Sequence, residues 1–221
     1  MNRDWARWHD AYEDPSSPLS IRLTLVQRHL ADALTAAPQG PVSLVSLCAG
    51  QGRDVLGVLP GHPRRDDVKA VLVELDPRIA RQAAEHAEQA GLPDVEVRAI
   101  DAGRTSGFAD ALPAGVLMLC GIFGNVSDAD IRRTVAAAPE LTAPGGTVIW
   151  TRHRREPDLT PALRDWFAAA GFTEVAFEAP DTGSTLIGIG VHRRPAGPAE
   201  RSRRPTADIP GGRLFTFTDS K

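Results

Sequence analysis

The sequence predicts an α/β protein: an open, mostly parallel sheet with helices on both faces and an antiparallel hairpin at one edge. Three observations carry this. Between Val42 and Gly171, short apolar runs alternate with segments of helical periodicity, the pattern of strands joined by crossover helices. A glycine turn, Gly50-Gln51-Gly52, stands between the first apolar run and a helical segment, where a parallel sheet passes from strand to helix. The last two apolar runs follow one another with only turn residues between them, so they must pair antiparallel.

The elements follow in chain order. Ser17-Pro18 supplies an N-cap and a first helical position. Leu19, Leu23, Val26, Leu30 and Leu34 then recur at helical spacing until Pro38 and Gly40 stop the helix. Val42 to Cys48 is the first strand, and Val55, Leu56 and Leu59 mark a helix after the glycine turn. Ala70 to Leu75 is the second strand; Asp76-Pro77 opens an alanine-rich helix that Gly91 ends. Val95 to Ile100 and Val116 to Cys120 are the third and fourth strands. Ser127 caps a helix to Glu140, and Pro144-Gly145-Gly146 turns the chain into a fifth strand, Thr147 to Thr151. Thr160-Pro161 begins the next helix and Gly171 closes it. Thr173 to Phe177 and Thr185 to Val191, joined through Pro180-Asp181-Thr182-Gly183, form the hairpin. Three segments result: a helical cap over residues 1–41, a core over 42–192, and a Pro/Arg-rich tail over 193–221. The tail is expected to be mobile, with Leu214-Phe215-Thr216-Phe217 returning to the body as a short strand.

Bulk properties narrow the function. A chain of 221 residues makes one domain with a full core. Its net charge of -3 gives no reason to expect a nucleic-acid partner. The arginines from Arg193 to Arg204 lie among prolines and read as a solvated tail. No apolar run approaches the roughly 18 residues of a membrane span, and Met1 to Asp10 lack the apolar stretch of a signal peptide. Two cysteines make no disulfide framework. A cytoplasmic monomer or homodimer without a metal site is the expectation.

The chemistry starts at the glycine turn. Glycine lets the backbone turn sharply and approach a ligand with no Cβ in the way. Glu74, 22 residues beyond Gly52 at the end of the next strand, is placed to accept hydrogen bonds from both ribose hydroxyls of a nucleotide. The frame points to an adenosine-type ligand. A nicotinamide site favours a third glycine at position 55, where Val55 stands.

Over residues 42–192 the chain resembles the class I S-adenosylmethionine-dependent methyltransferases. The resemblance implies a Rossmann-like, seven-stranded, mostly parallel sheet with an antiparallel C-terminal hairpin. Ser46-Leu47-Cys48-Ala49-Gly50-Gln51-Gly52 falls on the family's first motif, whose loop wraps the methionine part of the cofactor. Glu74 falls on the ribose-binding acid, with Leu75 and Asp76 beside the adenine. Asp101 falls on the acceptor for the adenine amino group, with Ala102 offering its backbone N–H to the ring. Leu119-Cys120-Gly121 falls on the border of the reactive methyl. Ser46 and Cys48 depart from the family's usual acid and glycine. The strings Cys48 to Asp54, Cys120 to Asn125 and Trp150 to Arg154 are similar to a bacterial subgroup often left without an assigned substrate, so the resemblance speaks to the cofactor more than to the reaction.

Candidate acceptor residues lie at the carboxyl ends of the later strands. His153 is the best-placed base, with Asp128 and Glu156 behind it; its neighbours Arg152, Arg154 and Arg155 also fit a solvated basic loop. Asn125 is a candidate for substrate binding. Trp5, Trp8, His9 and Tyr12 form either an acceptor wall or a helical face docked on the sheet, with Trp8 and Tyr12 the substrate-contacting candidates. Arg22 can meet the cofactor's carboxylate. Cys48 and Cys120 should lie near each other as reduced, apolar wall residues. Glu74→Ala should weaken cofactor binding by roughly tenfold to a few hundredfold while leaving the thermal stability of the ligand-free protein nearly unchanged. A small-molecule acceptor is expected. A non-catalytic S-adenosylmethionine-binding subunit and a nicotinamide-dependent oxidoreductase stay as the alternatives.

Overall fold

The structure, a computed structural model, describes residues 14–180, 187–197 and 212–218. The first described helix, α1 (Pro18–Ala36), begins where Ser17 Oγ accepts a hydrogen bond from Ser20 N–H at 3.1 Å. Its far end is held by Arg64, whose guanidinium donates to the carbonyls of Leu34, Ala37, Pro38 and Gly40 at 2.7–3.1 Å. Those are the carbonyls a helix terminus and its exit loop leave without partners. One charged fork therefore ends the helix and aims the chain into the sheet.

Strands β1 (Val42–Leu47), β2 (Val68–Glu74), β3 (Val95–Ala99), β4 (Ala114–Leu119), β5 (Thr142–His153), β6 (Thr173–Glu178) and β7 (Ile187–Arg193) form one sheet in the order β3-β2-β1-β4-β5-β7-β6. The first five run parallel; β7 lies antiparallel between β5 and β6. The remaining helices among the described residues are α2 (Arg53–Leu56), α3 (Pro77–Gln89), α4 (Asp128–Leu141) and α5 (Thr160–Ala169). Mostly parallel pairing, the antiparallel edge and helices on both faces agree with the sequence-based expectation.

Alternate strand residues feed two cores. Val45, Leu47, Leu117, Leu119 and Trp150 pack with α4 and α5 on one face. Leu44, Leu72, Met118, Ile149 and Ile189 pack with α1 and α2 on the other. Both faces being covered explains why the strands read as continuous apolar runs. Trp150 is fully buried, stacked on Phe167 at 6.2 Å and donating from Nε1 to His192 Nδ1 at 3.2 Å. Its partner across β7 is Gly190, where a Cβ would come within 2.2 Å of the indole. Glycine there is a condition for the tryptophan.

Three features depart from the sequence pattern. β5 begins five residues early, at Thr142, because the Pro144-Gly145-Gly146 segment is an irregularity inside the strand rather than a turn before it. The register jumps from Ala114↔Thr142 to Val116↔Thr147, and Arg194 continues the pairing through Gly145 and Gly146. The helix after the glycine turn is only the four residues of α2, followed by a 3-10 turn over Leu59–Gly61. Between β3 and β4 there is no α-helix, only two 3-10 turns. Residues 212–218 pack there, with Leu214 and Phe215 fully buried in the same core as Ala102, Phe108 and Val126.

Candidate functional site

The order of strands reverses between β1 and β4, and the loops leaving their carboxyl ends form the crevice where such sheets take ligands. Leaving β1, the chain passes through three left-handed residues: Cys48 and Gly50, each at φ 57°, and Gly52 at φ 73°. At Gly52 a side chain would be strained by the left-handed φ, and its Cβ would press on the ends of Leu56 and Leu72 at 2.9–3.0 Å. Ala49 N–H donates to Val73 O at 2.9 Å, anchoring the loop to β2. Gln51 turns outward, exchanging hydrogen bonds with Gln82 and Arg53.

Glu74 ends β2 and is half-buried. Its Oε2 accepts from Gly50 N–H and its Oε1 from Asp76 N–H, both at 2.9 Å. Asp76 in turn caps α3, accepting from Arg78 N–H, and its side-chain bonds to Arg78 hold its carboxyl down at about 2. Leu75 is 61% exposed beside Glu74, an apolar side chain left open to solvent at the lip of the crevice. Asp101 follows β3, with Oδ1 accepting from Gly103 N–H at 2.8 Å and Oδ2 from Arg213 at 3.1 Å. Ala102 is buried beneath it. Gly50, Glu74, Leu75 and Asp101 thus stand on three consecutive loops of neighbouring strands.

The two cysteines do not share a wall. Cys120 continues the alternation of β4 and lies in the core under α1. The left-handed turn at Cys48 carries its side chain to the opposite core. The strands are neighbours, as expected, but the thiols face different sides of the sheet. Both are free thiols. Burial pushes both up, with the charges of Glu74 and Asp101 adding to it at Cys48 and that of Asp54 at Cys120.

Beyond β4, Gly121 N–H donates to Thr151 Oγ1 at 3.0 Å, and Asn125 Nδ2 donates to Gly121 O at 2.7 Å. Asn125 therefore braces this loop. His153, at the end of β5, lies against Gly124, where a Cβ would approach its ring to 3.0 Å. Burial, then the charges of Arg152 and Arg155, hold its imidazole below the usual value. Asp128 is mostly exposed, 4.0 Å from the Arg152 guanidinium, and Glu156 is exposed in the loop beyond. Trp5, Trp8, His9 and Tyr12 lie outside the described residues.

Three residues escaped the sequence reading. Arg152 is buried and donates to Phe123 O, bracing the loop after β4 from below. Asp54, at the start of α2, faces Arg22; burial raises its carboxyl and the Arg22 charge opposes that rise. Arg213, one residue before the stretch expected to return to the body as a short strand, reaches Asp101.

No protein-family model matches the chain, and no curated protein matches it. Solved structures do. A magnesium protoporphyrin IX methyltransferase from Synechocystis PCC 6803 with bound S-adenosylmethionine aligns with a TM-score of 0.67 at 10% identity, over 87% of this chain and 92% of that one. An O-methyltransferase family protein from Burkholderia thailandensis aligns at 0.64 and 18% identity, over 89% of this chain and 62% of that one. A 1,6-didemethyltoxoflavin-N1-methyltransferase from the same organism, with bound S-adenosylhomocysteine, aligns at 0.57 and 19% identity, over 77% and 78%. The chain has the class I methyltransferase fold. Here the glycine loop after β1 and the acid ending β2 are joined by a hydrogen bond.

Proposed function

We propose that the protein is an S-adenosylmethionine-dependent methyltransferase acting on a small-molecule acceptor. The observation that carries the reading is the Glu74 carboxylate, held at the mouth of the crevice by Gly50 N–H and Asp76 N–H. Each oxygen takes one backbone donor and keeps lone pairs for a further one, so a pair of neighbouring ribose hydroxyls fits. Leu75 offers an apolar surface to a base, and Asp101 an acceptor for an amino group. The left-handed glycines bring backbone, not side chains, to the remainder of the ligand.

When bound, S-adenosylmethionine supplies an activated methyl group on a sulfonium. The chain's own part is alignment and exclusion of water. Glu74 and Asp101 fix the nucleoside, and the loop braced by Asn125 and Arg152 borders the acceptor. His153, kept neutral, takes the proton of a hydroxyl or amine acceptor. The small size of the acceptor is supported by the protein of this fold solved with bound 1,6-didemethyltoxoflavin. Calorimetric titration with S-adenosylhomocysteine and a nicotinamide dinucleotide tests the cofactor: the first should bind with clear preference, and a preference for the second overturns the proposal.

A further inference from the structure

The cofactor side of the crevice is not built by the sheet loops alone. Residues 212–218 cross from the loop after β3 to the loop after β4. Leu214 N–H donates to Gly103 O at 2.8 Å, Arg133 Nε donates to Leu214 O at 3.1 Å, and Thr216 N–H donates to Asp130 Oδ2 at 3.1 Å. At the far end, Thr218 N–H donates to Asn125 O at 2.9 Å. Leu214 and Phe215 fill the core where a helix between β3 and β4 is missing. The backbone approach is so close that a Cβ on Gly103 would lie 2.3 Å from Phe215 O. This strap places Arg213 against Asp101.

We infer that Arg213 is a positioning residue for recognition of the purine amino group, acting through Asp101; the inference rests on the cofactor reading above. The Asp101 carboxylate is gripped at both oxygens, Oδ1 by Gly103 N–H at 2.8 Å and Oδ2 by Arg213 at 3.1 Å. Arg213 is itself steadied, with Nη1 3.3 Å from Phe215 O and from Thr216 Oγ1. Two donors on two oxygens stop the carboxylate from rotating, and each oxygen retains a lone pair for a ligand. A purine amino group then meets an acceptor already aimed, with no side-chain freedom left to lose on binding. A carbonyl in place of that amino group would face the fixed carboxylate with no hydrogen to share, and would be rejected. Arg213 does not touch the ligand in this scheme; it sharpens the choice.

The experiment is calorimetric titration of the full chain with S-adenosylhomocysteine and with S-inosylhomocysteine, in which a carbonyl replaces the amino group. The native protein should prefer the former. Arg213→Met should lower the ratio of the two affinities by roughly tenfold, about one hydrogen-bond orientation's worth, and Arg213→Lys should restore part of it. An unchanged ratio in Arg213→Met, with both affinities falling together, shows a merely structural strap and overturns the inference; so does a native protein that binds both ligands alike. A native protein that binds neither removes the cofactor reading itself.

Discussion

The carboxylate of Glu74 ties β2 to the loop that leaves β1, its Oε2 accepting the Gly50 N–H at 2.9 Å. Together with the Asp76 N–H on Oε1, this makes Glu74 a fastener of the crevice as well as a candidate ribose ligand. The two roles separate by substitution. Glu74→Ala leaves two backbone donors without their acceptor and should cost roughly 1–3 kcal/mol of ligand-free stability, contrary to the sequence-based expectation of no effect. Glu74→Gln keeps one carbonyl oxygen and should retain most of that stability while still weakening S-adenosylhomocysteine binding by about tenfold or more. Denaturant unfolding paired with calorimetry checks both. Full affinity in Glu74→Gln would leave Glu74 a purely structural residue.

What the sequence made legible here was local. The glycine turn, the acid at the end of β2, the Ser17 and Asp76 caps and the terminal hairpin each depend on a few neighbouring residues, and each is found where its chemistry placed it. What stayed hidden depends on contacts far along the chain. Arg213 and Asp101 are 112 residues apart, and nothing local to Arg213 announces the pairing. Strand alternation would put Cys48 and Cys120 on one face; a single left-handed residue sends Cys48 to the other. Pro144-Gly145-Gly146 has turn composition, yet β7 extends pairing through it by way of Arg194.

His153 gives a prediction in pH. Burial, then the nearby charges of Arg152 and Arg155, place its pKa below the ordinary 6.5, so the neutral, proton-accepting form persists to lower pH than in a free histidine. If it is the base, the acid limb of kcat/KM should have its midpoint below pH 6.5. His153→Gln should cut turnover by roughly a hundredfold or more and abolish that acid limb. An acid limb that survives the substitution assigns it to another group.

His192 should appear in stability rather than in rate. Its imidazole is buried against Trp150 and Phe167, and burial brings its pKa down to about 4 despite the opposing pull of Glu174, with Arg164 adding to the depression. The native state therefore refuses a proton that the unfolded chain accepts below about pH 6.5. Stability is complete above that pH and declines as pH falls from there toward 4, by on the order of 3 kcal/mol from this group. His192→Gln should lack that portion of the decline, seen as a difference between the two proteins' denaturation curves across the interval. Parallel curves for the two proteins would clear His192 of the effect.

The N-terminal segment is best tested by a cut that spares the helix. Ser17 Oγ caps α1, and Asp14 accepts from Ser16 and Ser17 just before it. A deletion running through Ser17 removes the cap, costing about 1 kcal/mol on top of any functional effect. Deleting 1–13 instead should leave S-adenosylhomocysteine affinity within about an order of magnitude while abolishing most acceptor turnover, if Trp8 and Tyr12 line the acceptor. Undiminished turnover in this variant would move the acceptor wall to the loops around Asn125 and His153.

The last prediction concerns Gly103. Its Cα faces the Phe215 carbonyl so closely that a Cβ would lie 2.3 Å away, and it would also crowd Asp101 Oδ1 at 3.0 Å. The first obstacle is backbone, which no rotamer change can move aside. Gly103→Ala must therefore push the strap off, taking Leu214 and Phe215 out of the core they share with Phe108 and Val126. The expected cost is roughly 1–3 kcal/mol, as for other overpacked sites, with amide exchange rising selectively at Leu214 and Thr216, whose N–H groups bond Gly103 O and Asp130 in the native protein. The strands on the far side of the sheet, β5, β6 and β7, should keep their protection, because the strap does not pair with them. Native-like exchange at Leu214 in this variant would mean that the segment is not held against Gly103 in solution.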